Sequence, residues 1–108
     1  MDFQDYQNFA QRTANRTLTR HQKMLNGAMG LCGESGEVID LMKKHLAQGH
    51  ALNREHILEE IGDCLWYCAE LATALDANLE DIASDNIAKL KKRYPKGFDS
   101  ERSIHRTN

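Results

Sequence analysis

The chain has 108 residues, 41% hydrophobic and 28% charged, with a formal net charge of −2, the composition of an ordinary single-domain globular protein. Its longest apolar runs, such as Cys64–Ala69, are far too short to span a bilayer, and acids and bases are mixed with no basic run of the kind that marks a nucleic-acid surface. An odd cysteine count argues against a disulfide framework, and the opening MDFQDYQNF lacks the basic-then-apolar order of a signal peptide, so a soluble, reduced, cytoplasmic protein is expected, with neither a membrane nor a nucleic-acid polymer as partner.

Pro95 is the one proline, and the 94 residues before it are rich in Ala, Leu, Glu and Lys, which predicts an all-α fold. The first helix is expected over 2–15, with Phe3, Tyr6, Phe9 and Ala10 on one face. The second starts after Thr19, a good N-cap, and runs to Ala47. Its apolar positions are Met24, Leu25, Ala28, Leu31, Val38, Leu41, Met42 and Leu46. A break near Gly30 stays open, and Gly49 closes the helix, as glycine commonly does just past a helix end.

Asn53 caps the third helix, whose stripe of Ile57, Ile61, Cys64, Leu65, Cys68, Leu71, Ala72 and Leu75 recurs at helical spacing. The cysteines in it read as small core hydrophobes. The fourth helix begins at Asn78, carries Glu80 and Asp81 in its first turn, where the dipole favours acids, and stops at Tyr94, before the proline. Residues 95–108 are polar and read as an irregular tail of a single 1–108 domain. Short connections predict a four-helix, bundle-like antiparallel packing.

Two pairs of acids stand out. Glu34 and Glu37 are three apart on the second helix, and Glu60 and Asp63 repeat that spacing on the third. Each pair shares a helix face. Antiparallel packing can bring all four carboxylates to one point, where they would repel and some would stay protonated. A hard divalent cation removes that conflict: Mg²⁺, or Mn²⁺, takes oxygen ligands and is completed by waters and substrate phosphates. A solvated acidic face is the ordinary alternative for one such pair; two pairs, each beside glycine, weigh against it. Asp40 and Glu59 are left to solvent or an outer position. Gly27, Gly30, Gly33 and Gly36 recur every third residue, about 60° apart around a helix, and such a strip admits close approach of a backbone or ligand. A frayed helix start is the competing explanation at Gly27 and Gly30.

With these residues in place, the chain resembles the MazG-like proteins of the all-α nucleoside triphosphate pyrophosphohydrolase superfamily. The marks are Glu34-Ser-Gly-Glu37, a spacer of 22 residues and Glu60-Ile-Gly-Asp63, set in GLCGESGEVIDLMKK and EEIGDCLWYCAELA, followed by NIAKLKKRYPKGF. The likeness covers roughly residues 5–105. It implies hydrolysis of a nucleoside triphosphate to monophosphate and pyrophosphate, with Glu34, Glu37, Glu60 and Asp63 as the catalytic, Mg²⁺-holding set. It leaves open which carboxylate, or a metal-bound water, delivers the nucleophile. It also implies a homodimer or a dimer of dimers, with substrate pockets near a subunit interface.

Asn86, Lys89 and Arg93 share a face of the fourth helix. They suit phosphate or sugar contacts, and the resemblance supports Asn86 and Lys89; a solvated basic helix end is the plainer explanation. Tyr67 and Trp66 are candidates for stacking on a base, although large aromatics on helices more often serve the core. His56, one turn before Glu60, reads as a surface histidine with an outer-shell alternative. A di-iron bundle is excluded because no Glu is followed three residues later by His. A helical module that binds Mg²⁺-nucleotide or a protein partner without turnover is the surviving alternative.

Overall fold

A computed structural model describes residues 1–106. The described residues form five α-helices and no strand: α1 Phe3–Ala10, α2 Arg20–Ala47, α3 Arg54–Ala74, α4 Leu79–Arg93 and α5 Ser100–Ile104, with a 3₁₀ turn over Gln11–Thr13 after α1. The all-helical expectation holds; the count of four does not. The extra helix lies in the stretch expected to be irregular, where Asp99 accepts from the Glu101 N–H at 2.9 Å and caps it. Residues 107 and 108 of that stretch lie outside the described residues.

Local chemistry sets most helix starts. Asp2 and Asp5 form a reciprocal capping box at α1, and Thr19 and Gln22 form another at α2. Asn53 accepts from the His56 N–H at 3.2 Å and opens α3. α2 runs unbroken through all four glycines, so Gly30 is not a break. It ends at Ala47, and just past it Gly49, at φ +74°, sends the His50 N–H back to the Lys44 carbonyl at 3.1 Å.

α1 stops five residues short of the expected end, and the cause is remote. The Trp66 indole N–H donates to the Ala10 carbonyl at 3.1 Å and to Thr13 Oγ1 at 2.9 Å. Thr13 Oγ1 also donates to the Ala10 carbonyl at 3.1 Å. The carbonyl at the end of α1 is thereby satisfied without a further helical turn.

α2 and α3 form the principal pair and run antiparallel: Gly27 lies against Leu71, Gly30 against Tyr67, and Ser35 Oγ 3.8 Å from Cys64 Sγ. α1 crosses α3 and leans on α4, while α4 touches α3 only lightly. The buried apolar residues are few and mostly small: Ala69, Ala72, Ala74 and Leu79. Phe9, Met29, Ile39, Leu46 and Ile61 stay more than half exposed. The radius of gyration is 17.0 Å, against about 13 Å for a compact chain of this length. One chain by itself therefore does not close the expected bundle.

Gln7 holds the open end together. It is 4% exposed. Its amide donates to Thr73 Oγ1 at 3.0 Å and the Ala77 carbonyl at 2.9 Å, and its Oε1 accepts from the Leu79 N–H at 2.8 Å. Asn78, where α4 begins as expected, makes no side-chain cap bond; Gln7 accepts from the Leu79 N–H in its place. Gln7→Ala leaves the buried Leu79 N–H and the half-buried Thr73 hydroxyl and Ala77 carbonyl without this partner, so a loss of about 2–3 kcal/mol is expected in urea denaturation. A loss below about 0.5 kcal/mol would show that water replaces the amide.

Candidate metal centre

α2 and α3 can place acids face to face because their backbones approach closely one to two turns away. A Cβ added at Gly27 would lie 3.0 Å from Leu71 Cβ and 3.1 Å from its Cα. At Gly30 it would lie 2.2 Å from the Tyr67 ring. No other residue fits either position without movement. Gly33, Gly36 and Gly62 have nothing within 4 Å of such a Cβ. The strip thus divides into a packing half, Gly27 and Gly30, and an open half beside the acids.

Beyond Gly30 the carboxylates of Glu34, Glu60 and Asp63 converge, with one oxygen of each lying within 4.8 Å of the others. Glu60 is 8% exposed, Glu34 is half-buried and Asp63 is exposed. His56 Nε2 lies 3.0 Å from Glu60 Oε1, and with the cluster ionised no donor reaches the buried Glu60 Oε2. An orphaned carboxylate oxygen is costly. The Glu34 carboxyl is pushed up to about 7 by its hydrogen bond with Glu60, by burial, and by the charges of Glu60, Asp63 and Glu37. The cluster is therefore short of positive charge. Three carboxylates with an unpartnered buried oxygen fit a hard divalent cation, which takes oxygen ligands and keeps waters.

Glu37 is exposed and lies outside this tight group, although its charge still acts on Glu34. Asp40 is held by Lys44 at 2.9 Å and Lys43 at 3.6 Å, and the Lys44 hydrogen bond keeps its carboxyl below the usual range. That pairing accounts for it without a metal. His56 is the residue that sequence reasoning gives mainly to solvent and the structure gives to Glu60; the signal was its i, i+4 spacing. The sequence places Tyr6 of α1 only on an apolar face. Its phenol is pushed up by burial and then by the charge of Asp63, which marks α1 as a neighbour of the centre.

The proposed substrate contacts are not gathered with the acids in one chain. The Tyr67 ring packs on Gly30, one helical turn from Glu34. Trp66 turns the other way: its N–H is committed to Ala10 and Thr13, and its ring stands edge-on to Tyr67 at 5.1 Å. Lys89 and Arg93 line a groove between α4 and α5, and Asn86 is exposed on α4.

An antiparallel helix pair with carboxylates three apart on each member defines an all-α protein with an acidic, metal-competent centre. Comparison with known proteins gives that class its family. The profile of the MazG nucleotide pyrophosphohydrolase domain matches residues 21–98, and the chain belongs to that family. It is also similar to Gene 37 protein of Mycobacterium phage L5, with 38% identity over 73 residues, 64% of each chain. The chain thus spans about two-thirds of the length of that relative. No solved structure matches it with significance. Among the described residues no helix is long and apolar enough to cross a membrane.

Proposed function

We propose that the protein hydrolyses a nucleoside triphosphate to the monophosphate and pyrophosphate in a reaction that depends on Mg²⁺, with Mn²⁺ as a substitute. The observation that carries this is the unpartnered, buried Glu60 Oε2 amid Glu34 and Asp63, at the position of the second acidic motif in a MazG-family chain. Glu34, Glu60 and Asp63 would hold the ion, with Glu37 at the rim. Bound there, it would neutralise triphosphate oxygens and the charge that develops as pyrophosphate leaves. Water adds to the α-phosphorus, and the bond to the bridging oxygen of the β-phosphate breaks.

Tyr67 remains the aromatic candidate for the base. Trp66 has no such role on this reading, because its indole N–H is committed to Ala10 and Thr13. Asn86, Lys89 and Arg93 belong on this reading to phosphate and sugar contacts made when α4 meets the centre in an assembly. A homodimer supplies one: the extended protomer and its exposed apolar side chains favour a second copy as the missing packing surface. Light scattering after gel filtration should then give at least twice the 12.3 kDa protomer mass; a monomer would refute the dimer.

The catalytic test is pyrophosphate release, read with a coupled pyrophosphatase and phosphate dye, across the common and modified nucleoside triphosphates. Release from at least one, with Mg²⁺ and not with EDTA, is expected. A folded protein that binds nucleotide and releases none from any would be the non-catalytic nucleotide-binding module instead.

The acid cluster also predicts a pH dependence. Glu34 binds a proton more tightly in the folded chain than in the unfolded one, because its carboxyl is raised from 4.5 to about 7. This group therefore favours the folded, metal-free chain at low pH, a contribution lost as pH rises from 4.5 towards 7. A cation must displace the proton, so its affinity should climb about tenfold per pH unit below neutrality and level off above it. Titration of Mn²⁺ by calorimetry in two buffers of different ionisation heat reads both the affinity and the proton released. An affinity flat from pH 5.5 to 8 would refute the shared proton.

A further inference from the structure

The basic residues are less evenly mixed than the overall charge suggests. Seven of the 14 lysines and arginines fall within residues 89–108, with only two of the 16 acids, Asp99 and Glu101. The fold gathers them into one place. Gly97, at φ +93°, donates its N–H to the Tyr94 carbonyl at 3.1 Å, and the Tyr94 and Phe98 rings pack 5.4 Å apart. This turn folds α5 back beside α4. The two helices enclose a groove of about 940 Å³ lined by Lys89, Lys92 and Arg93 from α4 and by Arg102, His105 and Arg106 from α5.

Glu101 is the one acid on its wall, and it pairs with His105 at 3.4 Å. Among the described residues the lysines and arginines of the groove make no ion pair. Part of their charge complements the end of α4, but a helix terminus offers only about half an elementary charge. Five permanent cations around one cavity repel, and a compact polyanion relieves them. Guanidinium forks fit phosphate oxygens in pairs. The volume is that of a small-molecule site. Ala88 is the one apolar residue on the wall, so the groove recognises charge and presents no plate for a base.

We propose that the α4–α5 groove is a polyphosphate-binding site, taking free pyrophosphate or the phosphate chain of a nucleoside triphosphate, with Arg102 and Arg106 as its contacts from α5. This rests on the reading above only through Lys89 and Arg93, which both share. Calorimetric titration of the full chain in EDTA separates the two, because chelation removes the carboxylate centre from the measurement and leaves the groove intact. The probes are pyrophosphate, a nucleoside triphosphate and a nucleoside monophosphate.

Pyrophosphate and the triphosphate should bind at low salt and weaken as salt rises, with the monophosphate about tenfold weaker. The double variant Arg102→Gln/Arg106→Gln should lose about tenfold in affinity for both while keeping its helical circular dichroism. Binding of pyrophosphate without the triphosphate would support the inorganic source. Binding of the triphosphate without pyrophosphate, equal binding by the variant, or no binding by the wild type would overturn the site. Amide shifts on adding pyrophosphate should fall within 89–106; shifts confined to 34–63 would also overturn it.

Discussion

Glu60→Gln is expected to abolish pyrophosphate release, by about 100-fold or more, while raising the melting temperature of the metal-free protein at pH 8. The two effects have one cause. Above about pH 7 the Glu34 carboxyl gives up its proton, which adds a negative charge to a cluster of three carboxyl groups lying within 4.8 Å. Glutamine removes the middle charge and keeps the shape. Its Oε1 can still accept from His56, which stands 3.0 Å from Glu60 Oε1. Its amide can donate where the orphaned Oε2 now has no partner. The metal-free cluster is thereby relaxed, while the site loses a charged ligand. Mg²⁺ should raise the melting temperature of the wild type and leave that of the variant unchanged, as linkage requires of an ion that binds only the folded state. A variant that still gains stability from Mg²⁺, or is no more stable than wild type in EDTA, would show that Glu60 is neither ligand nor strained.

Much of the centre was legible because its determinants are local. Spacing of three fixes Glu34 with Glu37 and Glu60 with Asp63 on common faces, and the apolar stripes orient those faces toward one another. Spacing does not say which member of a pair points inward. Glu34 and Glu37 are set about 60° apart around α2, and the register with α3 gives Glu34 to Glu60 and leaves Glu37 at the rim. The end of α1 was illegible because Trp66, 56 residues away, supplies the bond that stops it. The start of α4 at Asn78 was legible, but the bond that caps it was not, since Gln7 accepts from the Leu79 N–H across 72 residues. The tail helix escaped notice because α5 has five residues and no apolar stripe. The bundle failed to close in one chain because apolar periodicity shows that a face seeks a partner without saying whether the partner lies in the same molecule.

Gly30→Ala is expected to destabilise the protein, whereas Gly33→Ala, three residues on in the same helix, should stabilise it. Propensity alone predicts a gain of about 1 kcal/mol for both. The surroundings divide them. An added methyl at Gly33 meets nothing within 4 Å, but at Gly30 it falls 2.2 Å from the Tyr67 ring. Either the ring leaves its place or α2 is pushed off α3. Overpacking of this kind costs about 1–3 kcal/mol, enough to cancel the propensity gain and leave a net loss. Both escapes also loosen the approach of Glu34 to Glu60, so the Mg²⁺-dependent rise in melting temperature should shrink with Gly30→Ala. A double-mutant cycle locates the clash: Tyr67→Ala should cost less stability in the Gly30→Ala background than in the wild type, because it removes the ring that the methyl strikes. Additive losses, or a Gly30→Ala protein as stable as Gly33→Ala, would mean that the acids are brought together by something other than the bare backbone at Gly30. For Gly33 the sharper question is substrate. If its open surface lies under the bound triphosphate, Gly33→Ala should raise stability and raise KM together; a rise in stability with KM unchanged would place the substrate elsewhere on α2.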